Sequence, residues 1–322
     1  MKKKFLAILL TAVTTFAMVP ATMASADEAA DDGTYYMITF LSGIDYWTGC
    51  WAGMQAAAEE LGVNVEYTGA TTGDYVDEAT VLEQVIAKQP AGIAITPVNA
   101  DGMTPSIDKA IDAGIPVVLF DSNAPMSKAY TYLGTDGYSA GWEVAKTMAE
   151  QMGHKGKVGI VMKPGLQNQE DRSEGFEAYM AQNEPDIVVL ERVNAGDTEQ
   201  ESAAATASMI QANQDITGIF SVAAFVGLGS VTAIEESGLA DQITAIAFDT
   251  DEGVLDAVDR GTLYGTVAQG TRQMGYWSLY FLYALNHESV VPGWAEKGLA
   301  PIPKSVDTGV SIITADSTAS VR

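Results

Sequence analysis

Residues 92–121 read GIAITPVNADGMTPSIDKAIDAGIPVVLFD. Two short β-rich runs, 92–96 and 116–120, flank a helical stretch near 101–113. A strand, a helix and a second strand within about thirty residues form a βαβ unit, which places its strands parallel and lays the helix across the sheet.

The same rhythm extends in both directions. Toward the N-terminus, 35–41 reads as a strand. Residues 46–61 read as a helix, with apolar positions at Trp47, Trp51, Met54, Ala58 and Leu61. A strand over 63–67 and a helix over 76–88 follow. Beyond Asp121 the pattern restarts: 130–133 is extended, 138–152 a helix, 157–162 a strand and 169–183 a helix. Further strands fall at 187–192, 218–222 and 243–248, with helices between them. The expected fold is α/β, with two parallel-sheet halves and no Pro/Gly/Ser-rich linker joining them. Only the tail after Asp316 is small and polar enough to fray.

The first residues indicate export. Lys2, Lys3 and Lys4 precede a largely apolar stretch over 5–18, Pro20 breaks it, and Ala24-Ser25-Ala26 offers a small-x-small cleavage pattern. A signal segment over 1–26, with a mature start near Asp27, is expected. The apolar run falls short of the ~20 residues of a spanning helix. With no Cys just after it, lipid attachment is not indicated. The expected location is periplasmic.

The 322 residues include 17 Lys plus Arg against 42 Asp plus Glu, a net charge of −25. Such a surface disfavours nucleic acid and anionic lipid. The single cysteine, Cys50, excludes an intramolecular disulfide, and its neighbours Trp47, Trp51 and Met54 suit a buried thiol.

In open parallel sheets, ligands bind beyond the carboxyl ends of the strands. The residues after successive strands are 42–47 (SGIDYW), Asp121-Ser122-Asn123, 163–168 (KPGLQN) with Arg172 one turn later, 221–225 (SVAAF), Asp249 and Gln269. Carboxylates accept from hydroxyls, guanidinium and amide groups donate to oxygens, and aromatic faces cover the C–H face of a ring. This is the chemistry of a polyhydroxylated ligand.

Several ordered segments carry a family resemblance: 116–125 (PVVLFDSNAP), 133–141 (LGTDGYSAG), Gln167-Asn168 with 172–176 (RSEGF), 247–250 (AFDT), and 267–269 (VAQ) with Met274-Gly275. Together they resemble the type I periplasmic sugar-binding proteins of ABC importers, the ribose- and galactose-binding group, over residues 35–314. The resemblance implies two Rossmann-like lobes joined by a three-segment hinge. It places Tyr46 and Trp47 as paired aromatics on the sugar and Asp121 as the first-lobe carboxylate. Asn168 and Arg172 become second-lobe polar contacts, and Asp249 and Gln269 the carboxylate and amide near the hinge; Ser122 joins this set. The ribose binders carry Arg at the Ser122 position, Asn at Ala223, an aromatic at Gly196 and paired Asn near Gly43-Ile44. Losing these groups argues against ribose itself. Lys163 and Phe225 are candidates to fill the vacated space.

Structural readings compete at several positions. Trp47 fits a stacking platform or a helix core, whereas Tyr46 lies off the apolar stripe and suits the pocket. Met274, Trp277, Phe281 and Leu285 read as a core stripe. Asp121 and Asp249 suit helix caps as well as ligand contacts, and Arg172 suits an ion pair with Glu170 or Glu174. Residues 137–141 (GYSAG) fit the G-x-S-x-G elbow of α/β-hydrolases. An esterase using Ser139 is therefore the remote alternative to a helix start capped by Asp136. The glycines of 227–230 (GLGS) read as helix packing.

The expectation is a two-lobe clamp: residues 34–135 plus 270–304 in the N-terminal lobe, 136–269 plus 305–322 in the C-terminal lobe. Crossings are expected near 134–136, 248–269 and 302–305. The chain is expected to be a monomer that captures a monosaccharide or polyol and presents it to an ABC importer permease. A stand-alone sensory protein serving a chemoreceptor or sensor kinase is the alternative. No catalytic residue, metal or cofactor is expected.

Overall fold

A computed structural model describes residues 33–322. The export signals read between Lys2 and Asp27 lie outside the described residues. Along the chain the first elements are β1 (Thr34–Thr39), α1 (Tyr46–Leu61), β2 (Asn64–Gly69), α2 (Tyr75–Ile86), β3 (Gly92–Thr96), α3 (Ala100–Asp112), β4 (Val117–Phe120) and β5 (Tyr132–Gly134). Next come α4 (Gly137–Gln151), β6 (Gly156–Met162), α5 (Gln167–Asn183), β7 (Ile187–Val189), β8 (Val193–Asn194), α6 (Glu199–Ala212), β9 (Gly218–Ser221) and α7 (Ala224–Ser237). The last are β10 (Thr244–Phe248), α8 (Glu252–Asp259), β11 (Gly265–Gln269), α9 (Thr271–Asn286), α10 (Trp294–Lys297), β12 (Ser305–Asp307) and β13 (Val310–Ile313).

Two sheets result. The first runs β12-β5-β4-β3-β1-β2, parallel throughout. The second runs β13-β11-β10-β9-β6-β7, with β8 also on β6; its strands are parallel except β13, which is antiparallel to β11. Strands β3 and β4 are buried at every residue. A sheet covered on both faces therefore reads as unbroken apolar runs rather than as alternation. Tyr35, Met37, Val118 and Phe120 face α1 and α9, whereas Tyr36, Ile38, Val117 and Leu119 face α2 and α3. The second sheet divides the same way: Ile160, Phe220 and Phe248 face α4 and α5, and Val161, Ile219 and Ala247 face α6 to α8. Each such aliphatic or aromatic side chain contributes about 1.5–3 kcal/mol of burial free energy.

The two lobes repeat one helix-packing device. A Cβ on Gly53 of α1 would overlap the Arg272 carbonyl of α9, and one on Gly275 would overlap the Cys50 carbonyl. In the second lobe, a Cβ on Gly141 of α4 would overlap the Arg172 carbonyl of α5, and one on Gly175 the Tyr138 carbonyl. The intervals match, three residues in every helix, so Cys50 and Arg172 hold equivalent places. Two of the glycines in 137–141 thus serve helix contact, and Asp136 caps α4 by accepting the Ser139 amide at 2.7 Å. Gly227 and Gly229 also lie at close contacts, with Ala247 and with the Glu199 carbonyl.

This close approach corrects the stripe expected on α9. Trp277 is 44% exposed, and the buried face carries Met274, Gly275, Ser278, Leu282 and Leu285. Helix α9 is apolar on most sides, so periodicity admits more than one register. The contact of Gly275 with Cys50 turns the small residues inward and Trp277 outward.

The chain crosses between sheets three times, at residues 135–136, at Gly270 and at 308–309. Ser305–Asp307 pairs with β5. The third crossing therefore lies beyond the expected 302–305, and residues 305–307 belong to the first sheet, not the second lobe. Three residues, none fully buried, give too little pattern to reveal such an edge strand. The crossings are bonded to one another. Thr308 donates its amide to the Gly134 carbonyl at 2.9 Å, and Gly270 donates to Gly309 at 3.2 Å. The Asp136 amide donates to Asp307 at 3.0 Å.

Candidate functional site

Asp121 is the first residue after β4 and Asp249 the first after β10. Both adopt left-handed backbone, at φ 60° and 68°, a conformation that Asp and Asn tolerate better than most residues. Each is held by the neighbouring strand. The Asp121 amide donates to Leu133 at 2.9 Å, and its carbonyl accepts the Tyr132 hydroxyl at 2.9 Å. The Asp249 amide donates to Val267 at 2.8 Å, and its carbonyl accepts the Thr266 hydroxyl at 2.7 Å. With both backbone groups bonded, the carboxylates are fixed at the sheet ends. Neither caps a helix: Asp251 occupies the N-cap of α8.

Around Asp121, the Tyr46 hydroxyl donates to Oδ1 at 2.6 Å. Ser122 Oγ donates to Oδ2 at 3.3 Å, and Thr96 Oγ1 lies 3.5 Å from the same oxygen. Around Asp249, Gln269 Nε2 donates to Oδ1 at 2.7 Å. Gln269 Oε1 in turn accepts the Thr135 hydroxyl at 2.7 Å. That chain of bonds links the second-lobe carboxylate to the first crossing.

Arg172 is buried, 4% exposed. Its Nη1 donates to the Val222 carbonyl at 2.8 Å, and its Cζ lies 3.9 Å from the Phe248 ring centroid. Its Nε has no hydrogen-bond partner. The surface ion pair is not formed, because Arg192 takes Glu170. A buried guanidinium stacked on an aromatic face, with an unused donor, is prepared to donate to an oxygen ligand.

The groups share one electrostatic field. Burial, followed by the charges of Asp121 and Asp249, pushes the Tyr46 phenol well above its usual range. Burial also raises the Asp121 carboxyl and the Asp249 charge adds to this, while the Tyr46 hydroxyl bond, Arg172 and Ser122 oppose it. Tyr46, Asp121, Ser122 and Arg172 thus feel the charge of Asp249, which is bonded to Gln269. Asp251 beside them is raised first by burial and then by the charges of Asp249 and Asp45.

Four expected residues stand apart. Trp47 is only 2% exposed. Its ring meets Phe40, Tyr46 and Phe120 edge-on, with centroids at 5.4, 4.8 and 5.9 Å, and its Nε1 donates to the Leu41 carbonyl at 2.8 Å. It presents no free face to a sugar; it supports Tyr46. Asn168 lies exposed on the first turn of α5. Lys163 pairs with Asp197, and Phe225 packs on the second-lobe core. Sequence reading missed Thr96, Tyr132, Thr135 and Thr266. Thr96 ends a strand and precedes Pro97, a signal available from strand-end position alone. The other three serve through contacts 11 to 134 residues apart, which no local pattern records.

The assembled chemistry is carboxylate acceptors facing phenol, guanidinium and amide donors. Ser139 is an exposed helix residue, and its backbone amide is bonded to Asp136. Two α/β sheets joined by three crossings, with these groups at their strand ends, make a two-lobe architecture. The chain belongs to the periplasmic binding protein family: the model of the periplasmic binding protein domain matches residues 35–288. A solved arabinose-binding protein from Geobacillus stearothermophilus is 42% identical, with a TM-score of 0.86, over 90% of this chain and 99% of that one. A sugar-binding protein of a sugar ABC transporter from Bacillus halodurans is 42% identical, with a TM-score of 0.85, over 88% and 98%. The ribose import binding protein of Bacillus subtilis (strain 168) is 25% identical over 69% of this chain and 72% of its own. These relatives are binding proteins, and this chain stands with them as a non-enzymatic member of the type I sugar-binding group.

Proposed function

We propose that this chain is the extracytoplasmic solute-binding protein of an ABC importer, capturing a monosaccharide or related polyol between its lobes. The carrying observation is the pairing of two fixed strand-end carboxylates, Asp121 and Asp249, from opposite lobes, within one field shared with Tyr46 and Arg172. Ser122, Thr96 and Gln269 complete the ligand contacts. A hydroxylated ring that bridges the carboxylates bonds both lobes only when they are closed. It therefore shifts the open–closed equilibrium by its differential affinity. The cleft has more carboxylates than cations, which favours a neutral ligand over an acidic sugar.

Pentoses are the first candidates, since a 42%-identical neighbour is an arabinose-binding protein. Ribose ranks lower, because Ser122 and Ala223 replace hydrogen-bonding groups, and Gly196 an aromatic, that the ribose binders carry. The test is a thermal-shift screen with L-arabinose, D-xylose, D-ribose, D-galactose, xylitol and inositol, followed by calorimetry. A pentose or a polyol is expected to raise Tm. Stabilisation by a charged metabolite alone, with every neutral sugar and polyol inert, overturns the assignment.

A further inference from the structure

Glu78 stands in the first turn of α2 and is fully buried, 0% exposed. Its Oε2 accepts the Val98 amide at 3.0 Å, while its Oε1 has no hydrogen-bond partner. Val98 lies in the 97–99 loop between β3 and α3. Thr96, at the root of that loop, places its hydroxyl 3.5 Å from Asp121 Oδ2. A carboxyl far from Asp121 in sequence is therefore tied to the cleft by one backbone bond and two residues of chain.

Nothing offsets a charge on Glu78. On its own helix, Asp74 accepts the Val76 amide, Asp77 takes Thr71 and Thr72, and Glu83 pairs with Lys109. On α3, Asp101 is exposed, while Asp108 and Asp112 hold Lys128. On β1 and β2, Tyr36 and Glu66 meet Lys88. A buried carboxylate with no cation and one unsatisfied oxygen is costly, and the neutral acid is the comfortable form. Burial accordingly pushes the Glu78 carboxyl up to about 7, with the Val98 bond opposing.

We propose that Glu78 is a positioning residue for ligand capture: it anchors the 97–99 loop, sets Thr96 against Asp121, and releases that anchor when it loses its proton. The proposal rests on the cleft between Asp121 and Asp249 being the sugar site. Docking the loop buries the carboxyl and favours the acid; lifting the loop lets water reach Oε1 and favours the carboxylate. Rising pH therefore favours the lifted loop. Between about pH 4.5 and 7, each pH unit shifts the docking equilibrium by at most about tenfold, and above about 7 the shift is complete. Affinity is highest on the acid side, falls as pH rises to about 7 and is level above it.

The experiment compares the full chain with Glu78→Gln, a neutral group of the same shape that still accepts from Val98. Dissociation constants for L-arabinose are measured between pH 5.5 and 9. Wild-type Kd is expected to rise roughly tenfold between pH 5.5 and about 7 and to level off above it, and the Gln variant to keep the acid-side affinity throughout. Matching profiles in the two proteins overturn the proposal. Independently of any ligand, the Val98 amide resonance should titrate near neutrality in the wild type and not in Glu78→Gln; a flat wild-type resonance also overturns it. If no neutral sugar binds at any pH, the sugar-cleft reading fails, and the Val98 titration alone decides the role of Glu78.

Discussion

Asp121 and Asp249 are the same residue twice. Each follows the last buried position of a strand, each turns left-handed, and each is bonded through its amide and carbonyl to the next strand of its own sheet. The duplicated fold thus sets one carboxylate at an equivalent strand end in each sheet. The lobes diverge in what surrounds them: a phenol and two hydroxyls for Asp121, a single amide for Asp249.

Replacing either aspartate with Asn separates charge from backbone, because Asn also tolerates the left-handed region. Asp121→Asn and Asp249→Asn should each weaken sugar binding by about 1.5–3 kcal/mol while shifting Tm little. Calorimetry with the best sugar of the screen and a melting curve check this. Full affinity in both variants would place the ligand elsewhere.

Tyr46 and Trp47 are adjacent, yet their variants should differ in kind. Tyr46→Phe removes the hydroxyl on Asp121 and should change affinity more than stability. Trp47→Ala empties a buried site bounded by Phe40, Tyr46 and Phe120, with an expected loss of about 3–5 kcal/mol. Chemical denaturation of both variants, set beside their affinities, separates the contact from its support.

Arg172→Met keeps much of the stem but removes the donors to Val222 and to the cleft. It should abolish detectable sugar binding and destabilise the second lobe by about 1–3 kcal/mol, as loss of a buried charged hydrogen-bonding group does. Wild-type binding by the Met variant would reduce Arg172 to a packing residue.

Gly141→Ala should destabilise by about 1–3 kcal/mol through overpacking against the Arg172 carbonyl. Its effect should reach the cleft, because the displaced backbone carries Arg172. A lower Tm together with weaker binding is expected. Ser139→Ala, two residues away on the exposed side, should change neither.

Glu78 gives global stability a pH dependence with a definite sign. Its carboxyl titrates at about 7 when folded, against 4.5 for the free group. The stabilising contribution is fully present below 4.5 and is lost as pH rises through about 7. The difference between the limits is at most about 3 kcal/mol. Urea denaturation at pH 5 and pH 8.5 should show that loss in the wild type and a smaller one in Glu78→Gln.

The alternation of strands and helices was plain in the sequence because strands such as 92–96 and 117–120 are buried on both faces and read as apolar runs. The carboxylates were legible too, since Asp121 and Asp249 directly follow such runs. Register was not legible: α9 is apolar on most sides, and only the contact of Gly275 with Cys50 decides that Trp277 faces out. Tyr46 stood out by its place off the apolar stripe, but the burial of Trp47 was not legible, because it depends on Phe120 and Phe40 closing over its ring. Thr135 meets Gln269 across 134 residues, a distance at which sequence pattern carries no information.

The outer strand of the first sheet comes from residues 305–307, almost the whole chain after β1. Until that segment arrives, β5 keeps an unpaired edge, and α9, which packs on α1, is also still to come. The lobe begun first therefore stays open while most of the second is built, and the two sheets close in turn at the end of the chain, with β12 and then β13. During synthesis and passage through a membrane, the open edge of the first lobe invites pairing with other chains, and chaperoning of this chain should centre on that lobe.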